Sequence, residues 1–227
     1  MNKYCNYHRH SQYSNLSSPD STLTINDYIQ RAKELGHTSI SVTEHGYCPM
    51  TSVLEAYPLC KQNNMKLLIG AEGYFVNDRF EKDRSNYHIV LMALNEKGRK
   101  QLNLAITEAN MTGFYHKARL DRELISTLDK ENFIVTTACV AGVGNDECIV
   151  KFLYDKFGEN LFLEVQSHNH PTQIAYNKKM LELSNKYNIE LIHGCDTHYI
   201  TEQDKFNRTI FLPFKKIVLL NLSCSVI

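Results

Sequence analysis

The chain has 227 residues, of which 43% are hydrophobic and 22% charged, and its 25 basic side chains equal its 25 acidic ones. This length and balance predict a globular domain with a substantial core and exclude an intrinsically disordered chain. Tight nucleic-acid binding without a partner needs a basic excess, because phosphate neutralisation supplies most of its affinity. A net charge of zero therefore confines any nucleic-acid role to a local site or to a partner.

The seven cysteines are scattered, with no C-x-x-C pair among them. An odd number without regular spacing is typical of free thiols in a reducing compartment. The N-terminal sequence MNKYCNYHRH lacks the apolar segment of a secretory signal, and no run of about 18 apolar residues could span a membrane. We therefore expect a cytoplasmic protein with no membrane partner.

Short apolar segments alternate with longer amphipathic segments along the chain. The apolar segments predict strands over Lys3–His8, Ser39–Thr43, Lys66–Ile69, His88–Ala93, Phe133–Thr137, Leu161–Gln166 and Glu190–His193. The amphipathic segments predict helices over Ile25–Leu35, Ser52–Asn63, Glu96–Asn110, Arg122–Leu128, Glu147–Phe157 and Thr172–Tyr187. The first helix has the clearest ends, because Thr24 and Asp27 have the spacing of a capping box and Gly36 follows as a stop.

This alternation predicts an α/β protein with a largely parallel sheet, either open or closed into a barrel. No repeat, linker or low-complexity segment interrupts it, so we expect one domain over residues 1–210. Residues 211–227 are apolar without a clear period and end in PFKKIVLLNLSCSVI. They form either a last core element or the start of a truncated continuation.

Histidines, carboxylates and one thiol lie next to the predicted strands. His8 and His10 form an H-x-H whose imidazoles face the same side of a strand, while Arg9 faces away. The other candidates are Glu44, His45, Glu72, His88, Cys139, Asp196 and His198. Most of them follow a strand, and functional groups gather at the carboxyl ends of parallel strands. Only His88 stands at a strand start.

Each of these residues alone has an ordinary structural explanation. A single histidine is more often a hydrogen-bonded or surface residue, and a carboxylate after a strand often caps the next helix. The joint pattern predicts a metal site, because such a group follows almost every strand. Imidazole with carboxylate suits Zn²⁺, Mn²⁺ or Fe²⁺, and a cysteine ligand favours Zn²⁺. The sequence His168-Asn169-His170 spells H-N-H without the surroundings of that nuclease motif, and Cys195 is expected to point away from the site.

Together these segments resemble the PHP domain, and most closely its form at the N-terminus of DNA polymerase III α subunits. The resemblance covers residues 4–205 through HRHSQYSNL, VTEHG, IGAEGYFV, YHIVLMALNEKGRKQL, GFYHKARLDRELI, TACVAG, LFLEVQSHN and DTHYI. It implies a distorted seven-stranded β/α barrel with up to three divalent metal ions (Zn, Mn, Fe or Mg). The implied ligands are His8, His10, Asp20, His45, Glu72, His88, Cys139, Asp196 and His198.

The resemblance also implies individual roles. Glu72 is expected to bridge two metals and to be catalytic together with His198 and Arg119. Arg119 would hold a phosphate, although a structural salt bridge is an equal alternative. Glu44 is expected to support the ligands or to act as an additional one. Asp20 is the last residue of NLSSPD, a loop longer than the common pattern of the family.

The implied function is metal-dependent hydrolysis of phosphate esters. In a polymerase this would be 3′→5′ exonuclease cleavage at a DNA 3′ end, with other polymerase segments or subunits as partners. Polymerase activity is not expected from this chain alone. Two alternatives stay open: a small-molecule phosphatase of the histidinol-phosphatase type, and a non-catalytic structural domain of a truncated polymerase.

Overall fold

The computed structural model describes residues 4–16, 20–46 and 49–211. The α-helices are α1 (Ile25–Glu34), α2 (Pro49–Gln62), α3 (Glu96–Thr112), α4 (Arg122–Ser126), α5 (Glu147–Phe157), α6 (Pro171–Tyr187) and α7 (Glu202–Phe211). The strands are β1 (Ser39–Val42), β2 (Lys66–Phe75), β3 (Tyr87–Ala93), β4 (Phe114–Tyr115), β5 (Lys117–Leu120), β6 (Phe133–Thr136), β7 (Leu161–Val165) and β8 (Leu191–His193). The predicted tail beyond residue 211 lies outside the described residues.

The strands form one curled, mixed sheet with the helices packed around it. Its hydrogen-bonded order is β4-β5-β2-β3-β6-β7-β8, and β1 pairs with the first half of β2. The pairs β1–β2, β2–β5, β6–β7 and β7–β8 are parallel, whereas β3 is antiparallel to both β2 and β6. The expected α/β fold is confirmed as a curled half-barrel, and the described residues form eight strands where seven were expected.

Residues 4–10 lie between β1 and the residues that follow β8. Thr43 donates from its hydroxyl to the carbonyls of Tyr7 and Arg9. On the other side, the His10 N–H donates to the Thr197 carbonyl at 2.8 Å. The predicted first strand is therefore wrong for the described residues 4–8, because side-chain hydroxyls replace the main-chain partners of a regular strand.

Strand β2 runs to Phe75, beyond its predicted end. Gly70 and Gly73 lie in this extension, and other side chains pack closely against both of them. A Cβ at Gly70 would lie 2.4 Å from the Met92 sulfur, and one at Gly73 would lie 2.6 Å from the Leu120 side chain. Glycine thus lets the neighbouring chains approach, and β2 continues through both positions.

The antiparallel direction of β3 accounts for the position of His88. His88 lies at the start of β3 and pairs with Tyr74 near the end of β2, so it reaches the edge where the parallel strands end. His88, Val90 and Met92 alternate along one face of β3. Val90 and Met92 pack with Tyr7 in a small apolar cluster inside the barrel. The same face therefore carries His88 towards the interior edge.

The main core lies between the outer face of the sheet and helices α3 to α6. Its members include Ile89, Leu91, Leu102, Ile106, Ile125, Leu153 and Met180, all buried. A second cluster packs α1 and α2 against β1 through Ile25, Ile29, Ile40, Val42 and Cys60. These two layers cover the outer face, so the loops at one end of the curled sheet remain available for a site.

The predicted helices are observed with ends shifted by at most three residues. The capping box of α1 is present, since the Thr24 hydroxyl accepts from the Asp27 N–H and the Asp27 carboxylate accepts from the Thr24 N–H. Strands β4 and β5 and helix α7 were not predicted from the sequence. Within the described residues, no helix is long and apolar enough to cross a membrane.

Candidate metal centre

The candidate ligands converge where the parallel strands end. Three overlapping groups have ligand atoms within 4.8 Å of one another: His8, His10, Glu72 and Asp196; His10, Asp20 and His45; and Glu72, His88 and Cys139. His198 joins them through contacts with Asp20 and Asp196. The structure thus brings all nine ligands implied by the resemblance into one cluster, hereafter called the ligand cluster.

Glu72 lies at the centre of the ligand cluster and is 1% exposed. Its Oε1 is 3.3 Å from His8 Nε2 and 2.9 Å from His88 Nδ1. Its Oε2 is 3.3 Å from His10 Nε2 and 2.8 Å from His45 Nδ1. Each carboxylate oxygen therefore faces two imidazoles, which is the arrangement suited to a carboxylate shared by two cations.

Asp196 closes the cluster over the H-x-H. Its Oδ1 lies 3.4 Å from His8 Nε2, and 3.2 Å from both His10 Nε2 and His198 Nε2. Asp196 has a φ of 46°, in the left-handed region that aspartate tolerates better than most residues. This turn lies three residues after the end of β8 and directs the carboxylate towards His8 and His10.

Asp20, at the end of the longer loop, also lies within the ligand cluster. Its Oδ2 lies 3.1 Å from His45 Nε2 and 3.0 Å from His198 Nδ1. The Asn15 amide oxygen accepts from the Asp20 N–H at 2.7 Å and so fixes the end of the loop. Arg208 on α7 donates to the Asp20 carbonyl at 2.6 Å and to Oδ1 at 3.1 Å. Asp20 is therefore held from two sides.

Cys139 contributes the thiol of the cluster. Its sulfur lies 3.6 Å from His88 Nδ1, and the residue is 7% exposed. The preceding Ala138 has a φ of 57°, a strained turn of the kind found at functional sites. Burial raises the pKa of the Cys139 thiol, and the charges of Asp196 and Glu72 raise it further. A divalent cation would reverse this effect, because a coordinating thiol is deprotonated.

The unpaired atoms of the ligand cluster test whether a metal fits. The buried atoms without a hydrogen-bond partner include His8 Nε2, His10 Nε2, His45 Nδ1, both oxygens of Glu72, Asp196 Oδ1 and His198 Nδ1. They lie 2.8–3.4 Å from their neighbours but without hydrogen-bond angles. Buried polar atoms are nearly always satisfied, and buried charges are paired or coordinate metals. Imidazole, carboxylate and thiolate donors in this arrangement fit divalent transition metals.

Without metal, the carboxylates of the ligand cluster raise the pKa values of neighbouring histidines. Burial lowers the pKa of His45, but Asp20 and Glu72 outweigh burial and raise it to about 10. The same balance of burial against two carboxylates raises the pKa of His198 to about 9. Burial raises the pKa of Glu72, yet the charge of His88 helps to hold it well below its usual range. Cations that bind here therefore displace protons.

Glu164 on β7 is a fully buried carboxylate that the sequence analysis did not assign to the site. It lies 2.9 Å from His8 Nδ1 and accepts from the Tyr7 hydroxyl at 2.6 Å, Gln166 Nε2 at 2.7 Å and the Thr136 hydroxyl at 3.1 Å. A carboxylate only accepts, so it places the proton of His8 on Nδ1. Nε2 is then the nitrogen that faces the ligand cluster and is left to bind a metal.

His10 is oriented in a similar way through a hydroxyl. Its Nδ1 lies 2.9 Å from the Ser14 oxygen, and the Ser14 hydroxyl donates to Glu44 at 2.6 Å. Ser11 also donates to Glu44 through its N–H and its hydroxyl. Glu44 is fully buried and lies in none of the three ligand groups. Of the two roles expected for Glu44, these contacts favour support of the ligands.

Residues 6–168 match the family model of the PHP domain. The chain belongs to the PHP family. Among curated relatives of this PHP domain, the DNA polymerase III α subunit of Aquifex aeolicus is 32% identical over 234 residues, and that of Borreliella burgdorferi is 28% identical over 218 residues. The alignments cover 93% and 89% of this chain but 20% and 18% of the relatives. The chain thus spans about a fifth of the length of the curated relatives it matches.

Two solved structures share the fold of this PHP domain. A protein from Bifidobacterium adolescentis, described as a metal-dependent phosphoesterase, superposes with a TM-score of 0.58 at 13% identity, over 88% of this chain and 89% of that one. An amidohydrolase from Chromobacterium violaceum, with bound sulfate and no metal, gives 0.50 at 14% identity, over 87% and 88%. At these identities the likeness shows the fold alone.

Arg119 lies on β5 of the PHP domain and is 3% exposed. Its guanidinium donates to the carbonyls of Gly113, Arg79, Glu81 and Asp83, at 2.6 to 3.0 Å. Four of its five N–H groups are therefore taken by main-chain oxygens. These contacts give Arg119 a structural role in holding the loop before β3. We do not retain it as a phosphate-binding residue.

The two motifs set aside in the sequence analysis also lie outside the ligand cluster. His170 is the N-cap of α6, and its side chain accepts from the Thr172 N–H at 3.3 Å. His168 is exposed. Cys195 lies 3.0 Å from the Tyr4 hydroxyl and is in none of the ligand groups. None of these side chains therefore needs a metal to explain its position.

Proposed function

We propose that this PHP domain hydrolyses phosphate esters with bound divalent metal ions, and that its substrate is the 3′ end of DNA. The observation that carries the proposal is the buried convergence of unpaired imidazole and carboxylate atoms around Glu72. The free thiols of the described cysteines agree with action in the cytoplasm. The polymerase III α subunits among its relatives support the choice of DNA, with the remaining segments of such a polymerase as partner.

The residues of the ligand cluster divide into a closed and an open side. His8 and His10 are fully buried, whereas the side chains of Asp20, His198 and Asp196 are 14–18% exposed. We assign the open side to substrate entry, with His198 close to the reacting phosphoryl group. When bound, divalent ions would lower the pKa of a water molecule and neutralise charge on the phosphoryl oxygens.

Residues next to the ligand cluster fix the orientation of its imidazoles. Glu164 holds His8, and Ser14 with Glu44 holds His10, so both imidazoles present Nε2 without rearrangement. Glu72 directs Oε1 towards His88 and Oε2 towards His45. Preorganised ligands of this kind keep the cations and the phosphoryl group in a fixed geometry, which is the main requirement of phosphoryl transfer to water.

A small-molecule phosphatase is the second candidate, and the zero net charge of the chain favours it. A phosphate monoester needs only the metal cluster, whereas a DNA strand gains affinity from a basic surface around it. Both candidates use the same ligands. They differ in the length of substrate that the open side accepts.

The test uses metal-free protein reconstituted separately with Zn²⁺, Mn²⁺ and Mg²⁺. Release of nucleotide from a 3′-labelled primer is compared with release of phosphate from small monoesters. His10→Ala removes a ligand, and His170→Asn serves as the matched histidine control because Asn also caps helices. Primer trimming that requires metal and His10 supports the exonuclease, and monoester cleavage alone moves the assignment to the phosphatase. Metal binding without any hydrolysis refutes both.

A further inference from the structure

A cavity lies behind the ligand cluster, between α1 and the segments that carry the H-x-H and D-x-H motifs. Its volume is about 250 Å³. The lining residues that bear on the argument are Asn6, Arg9, Tyr28, Arg31 and His37. Among the described residues, no carboxylate lines this cavity. The charged side chains that line the cavity are therefore arginines, and apolar side chains form much of the remaining wall.

Arg9 forms the inner wall of this cavity and is 1% exposed. Its Nε, Nη1 and Nη2 have no hydrogen-bond partner among the described residues. Its guanidinium carbon lies 4.3 Å above the centre of the Tyr28 ring, a contact that leaves every N–H unused. Arginine stays charged in proteins, and a buried charge is normally paired. The structure therefore contains a buried cation with no hydrogen-bonded anion among the described residues.

Asn6 supplies a second unsatisfied atom on the same wall. Its Nδ2 donates to the Thr197 hydroxyl at 2.7 Å, while its Oδ1 is buried without a partner. An acceptor next to an unpaired guanidinium suits a ligand that has both acceptor oxygens and one O–H. Hydrogen phosphate has this combination, whereas sulfate has no O–H to donate.

We propose that this cavity binds hydrogen phosphate, with Arg9 on the phosphoryl oxygens and Asn6 accepting from the P–OH. Arg31 on α1, which is 44% exposed and pairs with Glu34 at 2.8 Å, lies at the mouth. The site is distinct from the ligand cluster, because Arg9 faces the opposite side of the chain from His8 and His10.

The cavity is physically connected to the ligand cluster. The Tyr28 hydroxyl donates to the carbonyls of His10 at 2.7 Å and Thr197 at 3.1 Å. These carbonyls belong to the two segments that present the metal ligands. An anion that fixes Arg9 against Tyr28 therefore stabilises both segments and strengthens metal binding by the same factor that metal strengthens anion binding.

The test is isothermal titration of zinc-loaded protein, freed of excess metal, with inorganic phosphate at constant ionic strength. Phosphate also binds metals, so the binding of wild type is compared with that of Arg9→Met, in which the metal cluster is unchanged. We expect Arg9→Met to weaken binding at the cavity about 100-fold, because one partner of a buried charge pair is lost. Arg31→Gln should weaken it about 2- to 5-fold. Sulfate should bind about 10-fold more weakly than phosphate.

A thermal measurement keeps the test valid if Arg9→Met alters folding. Replacing a buried, unpaired cation with an apolar side chain of similar size should raise the Tm in phosphate-free buffer. Phosphate should raise the Tm of wild type and of Cys139→Ser, whose change lies in the ligand cluster, but not that of Arg9→Met. Phosphate binding that is absent, or fully retained in Arg9→Met, overturns the proposal. Equal binding of sulfate overturns the hydrogen bond assigned to Asn6.

Discussion

Replacing Glu164 with glutamine tests whether the metal ligands depend on a buried carboxylate behind them. Donors from Tyr7, His8, Thr136 and Gln166 converge on the two oxygens of Glu164 at 2.6–3.1 Å. Glutamine has one acceptor oxygen and an NH₂ group, so at least one of these buried donors loses its acceptor. An unsatisfied buried donor costs about 1–3 kcal/mol of stability.

The larger effect is expected on metal binding. Without the carboxylate, the Nδ1 proton of His8 is less firmly fixed and Nε2 is a weaker ligand. Loss of such a supporting group typically lowers metal affinity about 10- to 100-fold. Competition between the protein and a chromophoric zinc chelator measures this change, and the exposed Glu190→Gln is the matched control. The reasoning is refuted if Glu164→Gln binds zinc as tightly as wild type while remaining folded.

Further predictions concern packing, metal preference and pH. Gly194→Ala places a methyl group 2.4 Å from the Glu164 carboxylate, so urea denaturation should show a loss of about 1–3 kcal/mol; unchanged stability contradicts this contact. Cys139→Ser should lower zinc affinity at least about 10-fold and manganese affinity less, because a soft ligand is lost; equal losses in chelator competition contradict it. The metal-free protein should lose stability as the pH rises from 6.5 to about 10, because folded His45 and His198, with pKa values of about 10 and about 9, retain protons that the unfolded chain releases. Thermal denaturation across this range checks the slope, which should be smaller in His198→Gln; a flat profile contradicts it.

Much of the architecture could be predicted from local patterns. Helix α5 begins and ends where its amphipathic pattern does, and the capping box at Thr24 and Asp27 is formed as expected. Such features depend on neighbouring residues, so the sequence contains them. The grouping of the nine ligands came from strand-end positions together with the family resemblance. Their convergence follows because the carboxyl ends of parallel strands share one edge.

The features that escaped prediction depend on contacts between distant parts of the chain. The reversed direction of β3 cannot be read from its apolar pattern, and it alone explains why His88 at a strand start joins the site. The predicted strand ended at Ile69, before Gly70, because the residues that pack on Gly70 and Gly73, Met92 and Leu120, are remote in sequence. Glu164 was a polar residue in an apolar strand, and this was the one available sign that it has a buried partner.

We expect the ligand cluster to bind metal ions through Glu72. The most direct measurement is elemental analysis of zinc-loaded protein after gel filtration, for wild type, Glu72→Gln and the exposed control Glu190→Gln. We predict more than one zinc per chain and no more than three, one for each group of ligand atoms, in wild type and control. Glu72→Gln should lose more than one ion, since Glu72 belongs to two of those groups. Wild-type protein without stoichiometric zinc would contradict metal binding by the ligand cluster. Glu72→Gln with the full wild-type zinc content would contradict the central role of Glu72.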